Sequence, residues 1–491
     1  MHIAGVLSEM SIRGYGSQMN NPKTFSNSSK MNVLSFSRRQ LILILIILVC
    51  IFGTIILPRV ISVLVNMLAL AFFAISGSRA YFNGDRKMVS SVIALPLFLS
   101  AFQNVWLGIA SARLDEMSLQ VLLSSNFLLE LFLMVIYILK KGSIPRQDNY
   151  CVFITLIFTL QGILLYIMYP TGISAFISSF RNIISCIIIY WVAAIYSQRV
   201  DLRTLDRGLI IIAWCVVIFG LFEFLVGTSV WKSLDIERLW NLKSIGTNLW
   251  GIPKNWYSSE RIGGQQIRRM VSTFADPVNL GTYLFSAFMY AWYKKKKLLR
   301  IALLVCCVLT ISKGALLGFL IFIVIYTWYK DKSKILPIGA VAAAIAIGMY
   351  FISFSRNSST GSVFAHINGF LSSFGLLASH PFGYGIGRIG VLSSLLSTNF
   401  IETGVTETGI GMIMAQLGII GIAGYIGYFV MLVKAPNNWA PKYINERIIY
   451  YSLIFSYITN AMFNEVALSP NSCLLCFLLL GVFNSILSNN R

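Results

Sequence analysis

The sequence predicts an all-α, polytopic membrane protein of about fourteen transmembrane helices, with both termini in the cytoplasm and two large loops on the outer side. Three observations predict it. Hydrophobic residues make up 57% of the 491-residue chain and charged residues 12%, too few polar side chains to cover a soluble protein of this length. Apolar runs approach the roughly 20 residues that a spanning helix needs. Basic residues gather in alternate connections between those runs.

Residues 1–40 are polar, rich in Ser and Asn, and end in Arg38-Arg39. They lack the short apolar core and small-residue cleavage site of a signal peptide. They read as a cytoplasmic tail before a signal-anchor helix, with Met1 or Met31 as the start. Residues 41–227 hold seven apolar runs, at 41–57, 60–76, 88–111, 119–139, 151–169, 176–196 and 207–227. A polar loop occupies 228–277. Residues 278–353 hold helices eight to eleven, at 278–293, 298–312, 314–329 and 335–353. A second long loop occupies 354–405, and runs at 406–433, 448–463 and 473–487 complete residues 406–491.

Charge orients this scheme. The chain carries 39 Lys+Arg against 18 Asp+Glu, a net charge of +21. With the N-terminus inside, 26 of the 39 basic residues fall in cytoplasmic segments and the short outer loops hold almost none. Reversal would put those 26 outside. The basic excess is thereby explained without nucleic acid as a partner. Both long loops lie outside, and long polar loops commonly carry chemistry.

Lys294 to Lys297 and Lys330-Asp331-Lys332 share the cytoplasmic side, separated by apolar sequence broken at Ser312-Lys313-Gly314. Each arm of about 15 residues reaches roughly 22 Å, short of a bilayer core of about 30 Å. The Lys313 turn is therefore expected below the outer surface, at the floor of an outward-open cavity. The alternative is that Lys313 snorkels outward along its own stem.

The eight cysteines fall in or beside apolar runs and read as small core residues. Cys473-x-x-Cys476 has a redox-like spacing but opens an apolar helix with no second pair.

The first long loop holds Arg261, Arg268 and Arg269, then Ser272-Thr273-Phe274-Ala275-Asp276-Pro277. Asp276-Pro277 predicts a helix start, with Asp as cap and Pro at the first position. The arginines then approach that helix mouth, where their planar forks suit a diphosphate. The plainer reading pairs them with Asp235, Glu237 or Glu260. Four of the ten tryptophans lie in this loop, Trp231, Trp240, Trp250 and Trp256. They read as membrane-interface anchors ahead of sugar-stacking faces, on an amphipathic helix lying along the membrane.

The second loop holds His366 and then His380-Pro381-Phe382-Gly383-Tyr384-Gly385-Ile386-Gly387-Arg388-Ile389-Gly390. Its G-x-G-x-x-G spacing has no strand before it, so a nucleotide site is disfavoured. Closely spaced glycines could instead bring backbone N–H groups to a diphosphate, beside Arg388. Glu402 and Glu407 follow. Glu407 reads either as a helix-terminal carboxylate or as a base for a sugar hydroxyl. Within the predicted helices, Arg181 and Glu223 lie at similar depth and are expected to pair. Glu130, near mid-membrane, is either protonated and hydrogen-bonded or part of a cavity.

Taken in order, these segments resemble the O-antigen polymerase/ligase superfamily over about residues 205–430. Arg269 followed by Ser272 to Gly281 resembles its "R…GTF.DPN.LG" stretch, and Leu309 to Ala315 resembles its "L..SRGA" turn, with Lys313 where Arg is usual. His380 to Gly387 resembles "HPLFGYGIG". Glu407-Thr408 through Gly421 resembles the ligase segment "HN.YL..L.E.G..G", with Glu407 where ligases carry their functional His. An acidic residue there is similar to the polymerase (Wzy-type) branch.

The resemblance implies a metal-independent membrane glycosyltransferase with no cofactor, in the bacterial inner membrane, its site facing the periplasm. Its substrates would be oligosaccharide repeats on undecaprenyl diphosphate. The growing glycan would leave its diphosphate for the non-reducing end of an incoming repeat. Arg268, Arg269, Lys313 and Arg388 would hold diphosphate charge. Glu407, with Arg269 and Lys313, would form the catalytic set. His380, Asp276, Arg181 and Arg261 are secondary candidates, and a chain-length regulator of the same membrane is a candidate partner. The Lys313 replacement puts a bidentate contact in question at that turn but keeps a charge. A ligase moving polymer to lipid A core, a capsule or exopolysaccharide polymerase, and a transporter or flippase remain as alternatives.

Overall fold

The computed structural model describes residues 38–142, 149–243, 245–262, 265–331, 335, 338–339, 341–342, 362–396, 401 and 407–488. They form an all-α protein whose apolar helices suit a membrane. Among the described residues, eight helices are long and apolar enough to cross one, or nine if a bent pair counts as a single span.

The first three helices are α1 (Arg38–Ile56), α2 (Arg59–Asn83) and α3 (Arg86–Ala110). Gly84, at φ 76°, ends α2, and the Asp85 carboxylate caps α3 by accepting from the Met88 N–H. The expected fourth run is broken into α4 (Glu116–Leu123) and α5 (Ser125–Lys141), bent by 53° at Ser124. Then come α6 (Asn149–Met168), α7 (Ile173–Tyr196) and α8 (Leu202–Val226).

Residues 228–277 fold into a small layer on the end of the bundle. Two short helices, α9 (Ser229–Ser233) and α10 (Ile236–Leu242), precede an antiparallel hairpin of β1 (Tyr257–Ile262) and β2 (Gln265–Arg268). Trp231, Trp240 and Trp256 are buried with Ile236, Leu239 and Ile252 in a core that also takes in Leu107, Ala110, Leu119 and Leu122 of α3 and α4. Trp231 and Trp256 meet edge to face at 6.0 Å, and the Trp256 indole donates to the Ala275 carbonyl at 3.0 Å. This corrects the expectation of an amphipathic helix with interfacial tryptophans: three of the four dock the loop onto α3 and α4, and Trp250 alone of them is exposed.

Four further helices are α11 (Pro277–Tyr293), α12 (Lys297–Thr310), α13 (Lys313–Lys330) and α14 (Ser362–Ser379). Asp276 caps α11 as expected, accepting from Val278 N at 2.9 Å and Asn279 N at 2.7 Å, with Pro277 at the first position. The expected helix at 335–353 and Glu402 lie largely or wholly outside the described residues. Within the second long loop, 18 residues are helical as α14, and α15 (Val391–Leu396) follows the glycine run. The chain ends with α16 (Gly409–Lys434), α17 (Ile444–Phe463) and α18 (Pro470–Ser488).

The core centres on α18, the most enclosed of the candidate spans, which packs along α7. Gly481 permits this approach, since a Cβ there would lie 2.6 Å from both Ala193 Cβ and the Tyr190 carbonyl. Cys473 and Cys476 are buried free thiols in the same helix, so their spacing serves packing. By contrast α13 has the most open span face. The basic connections touch one another. Arg199 lies over Tyr81, Lys140 over Phe82, and Lys294 pairs with Asp206 at 2.7 Å.

Candidate functional site

The turn between α12 and α13 organises the site. Gly281 on α11 lies against Ser312, where an added Cβ would come within 2.5 Å of the hydroxyl oxygen, so the turn sits tight on α11. The loop after β2 lies across it, with the Met270 N–H bonded to the Leu309 carbonyl at 2.9 Å. Arg269 Nε donates to the Thr310 carbonyl at 2.8 Å and its Nη1 to the Asn255 carbonyl at 3.1 Å. The Asn255 amide donates in turn to Asp276 at 2.6 Å. Arg269, Asp276 and the Lys313 turn are thus one connected unit.

Lys313, the first residue of α13, is exposed. Near it lie His366 of the second long loop and Glu407, just before α16. His366 Nδ1 on α14 is 3.1 Å from Glu407 Oε2, without the alignment of a hydrogen bond. Desolvation holds the His366 imidazole below its ordinary pKa; Glu407 opposes that shift and Lys313 adds to it. Glu407 is half-exposed, one residue before the Thr408 cap of α16, and its backbone carbonyl accepts from Glu465 N at 3.1 Å. A carboxylate and an imidazole therefore meet at one open edge, within the electrostatic reach of Lys313 on the turn that Arg269 braces.

Other expected site residues lie elsewhere. Arg268 is bonded to the buried Glu223 carboxylate and to the carbonyls of Glu223 at 3.2 Å and Phe224 at 3.1 Å. This overturns the expected Arg181–Glu223 pair. Glu223 shares its face of α8 with Gly220, which abuts Ser272, so the carboxylate points into the loop after β2 and also approaches the Val271 and Ser272 N–H groups. Arg181 instead donates to the Ser124 hydroxyl at 3.1 Å, at the α4–α5 bend.

Arg388 lies over the Tyr169 ring, 5.4 Å from its centroid, on the α6–α7 side. His380 is exposed and stacks on Tyr384 at 3.8 Å. The Arg261 side chain lies outside the described residues. Glu130 is buried on α5, and its Oε2 has no hydrogen-bond partner among them.

The glycine run is a strap. Gly418, at φ 63°, breaks α16 and leaves carbonyls for it. Tyr384 N donates to the Ala415 carbonyl at 2.9 Å and Gly385 N to that of Gln416 at 3.2 Å, while Ile419 N donates back to Pro381 at 2.8 Å. Gly383 N bonds to His380 and Gly387 N to the Gln416 side chain. Of the glycine N–H groups expected to face a diphosphate, those of Gly385 and Gly387 are therefore already taken.

Lys243 was not singled out by sequence reasoning. It donates to the Asn104 side chain at 2.8 Å, and desolvation pushes its ammonium down to about 7, Asp276 opposing and Arg181 adding. Its partner stands on α3, so no local signal marks it. His366 was visible in the sequence, but no motif tied it to Glu407. Compared with known proteins, the chain matches no family model and no curated protein.

Proposed function

We propose that this chain polymerises lipid-linked oligosaccharide repeats, as an O-antigen polymerase of the bacterial inner membrane. In this reading about fourteen spans place both termini in the cytoplasm and the Glu407 edge on the periplasmic face. The observation that carries it is the pairing of Glu407 with His366, within the electrostatic reach of Lys313 on the Arg269-braced turn.

The chemistry follows from those groups. An acceptor sugar hydroxyl loses its proton to Glu407 as its oxygen bonds to the anomeric carbon of the donor glycan. The bond from that carbon to the diphosphate oxygen breaks, and its electron pair leaves with undecaprenyl diphosphate. Lys313 and Arg269 offset the charge that develops there. His366 lies 3.1 Å from the Glu407 carboxylate. Arg268, committed to Glu223, drops from the diphosphate set to a supporting role.

Purified full-length protein, given an undecaprenyl-diphosphate-linked repeat alone, is expected to make a ladder of polymers. Conversion of no repeat would refute the reading. Transfer to lipid A core without lengthening would assign the chain to the ligase branch, and movement of repeats between leaflets without new glycosidic bonds to a flippase. A chain-length regulator is expected to narrow the ladder without being needed for it.

A further inference from the structure

We propose that a groove between the first turns of α8 and the α11–α12 connection binds the phosphate headgroup of an anionic phospholipid. The groove is a cavity of about 540 Å³ at the end of the bundle opposite Glu407, lined by Arg203, Arg207, Lys294 and Lys296 around Asp206, with Ile211 on its wall.

The charges do not balance within it. Lys294 is paired with Asp206 at 2.7 Å, and Asp206 also accepts from the Tyr290 hydroxyl. Arg203, Arg207 and Lys296 are exposed, and their side chains have no hydrogen-bond or ion-pair partner among the described residues. Three like charges lining one concavity raise each other's energy unless an anion enters. A phosphodiester fits, because arginine forks and an ammonium can share its non-bridging oxygens.

The wall selects a lipid over a free anion. Ile211 and Ile218 on α8 are 45% and 62% exposed, and Ile301 and Val308 on the neighbouring α12 are 52% and 57% exposed. These residues continue from the mouth of the groove along the outside of the bundle. A soluble phosphate gains nothing from them, whereas acyl chains cover them while the headgroup stays at the cationic rim. The site is independent of the glycosyl chemistry proposed above and of the residues assigned to it.

Native mass spectrometry of the full chain in detergent, titrated with phosphatidylglycerol, tests this. The wild type is expected to retain phosphatidylglycerol and not phosphatidylcholine. Arg203→Gln/Arg207→Gln/Lys296→Gln is expected to weaken retention on the order of tenfold or more. Lys330→Gln/Lys434→Gln/Lys442→Gln, which removes equal charge elsewhere on that end, is expected to leave it within about twofold. Arg207→Gln alone, at an exposed position, serves if the triple variant does not fold and is expected to weaken retention by several-fold. Equal retention by the groove and control variants would overturn the site. Competition by glycerol phosphate at concentrations equal to the lipid would show a soluble-anion site instead and overturn the lipid assignment.

Discussion

The first long loop, residues 228–277, ties its charged side chains to the neighbouring helices, whereas His380 of the second and Glu407 just after it stay exposed. In the first, Arg268 is spent on Glu223, Arg269 holds the Thr310 carbonyl, and Asp276 caps α11. Three tryptophans seal a core shared with α3 and α4. In the second, the backbone makes the attachments. The strap from Pro381 to Gly387 docks onto the α16 break through N–H groups, and Arg388 donates to its Tyr384 carbonyl at 3.4 Å, while the side chains of His380 and Glu407 stay exposed. A fixed first loop beside a second loop with exposed titratable groups suits a division between positioning and chemistry.

The sharpest break of this comparison is Arg268→Ala. It leaves the Glu223 carboxylate buried without its cation, a loss of about 3–5 kcal/mol. Thermal unfolding in detergent is expected to show it, and Arg268→Ala/Glu223→Gln is expected to recover part. An unchanged midpoint would mean that the first loop is not pinned there.

Next is Gly418→Ala. A Cβ there would lie 2.0 Å from the Pro381 carbonyl on a backbone at φ 63°. The strap is expected to loosen at a cost of about 1–3 kcal/mol, read as faster proteolysis within residues 380–390.

His366→Gln sharpens the contrast through pH. Burial disfavours the imidazolium, so the folded-state pKa lies below the ordinary value of about 6.5. The neutral ring contributes its stability above that value, and the contribution is lost as pH falls through the depressed one. The variant is expected to flatten the acid limb of both stability and polymerisation.

Smallest is Trp250→Ala. The side chain is 73% exposed, and unfolding is expected to stay within about 0.5 kcal/mol of wild type.

Much of the helix order was legible because apolar length is a local property. The Asp276-Pro277 start and the short α12–α13 turn at Lys313 were legible for the same reason. Rotation about a helix axis was not. Arg181 and Glu223 were placed at one depth, but their partners depend on which way each face turns, and Gly220 against Ser272 turns Glu223 toward Arg268. The α16 break was hidden too, since Gly418 reads as an ordinary helix glycine until the strap supplies its bonds. Of the candidate site, Glu407, Lys313 and Arg269 were named from motifs. The contact of His366 with Glu407 joins residues 41 apart and had no local mark.

The most direct measurement is the polymerisation rate of Glu407→Gln beside Glu407→Asp, with purified protein and lipid-linked repeat. A loss of about 10²–10⁴-fold in the amide, with partial activity in the aspartate, is the predicted result. A fully active Glu407→Gln would contradict the assignment of the base to this carboxylate.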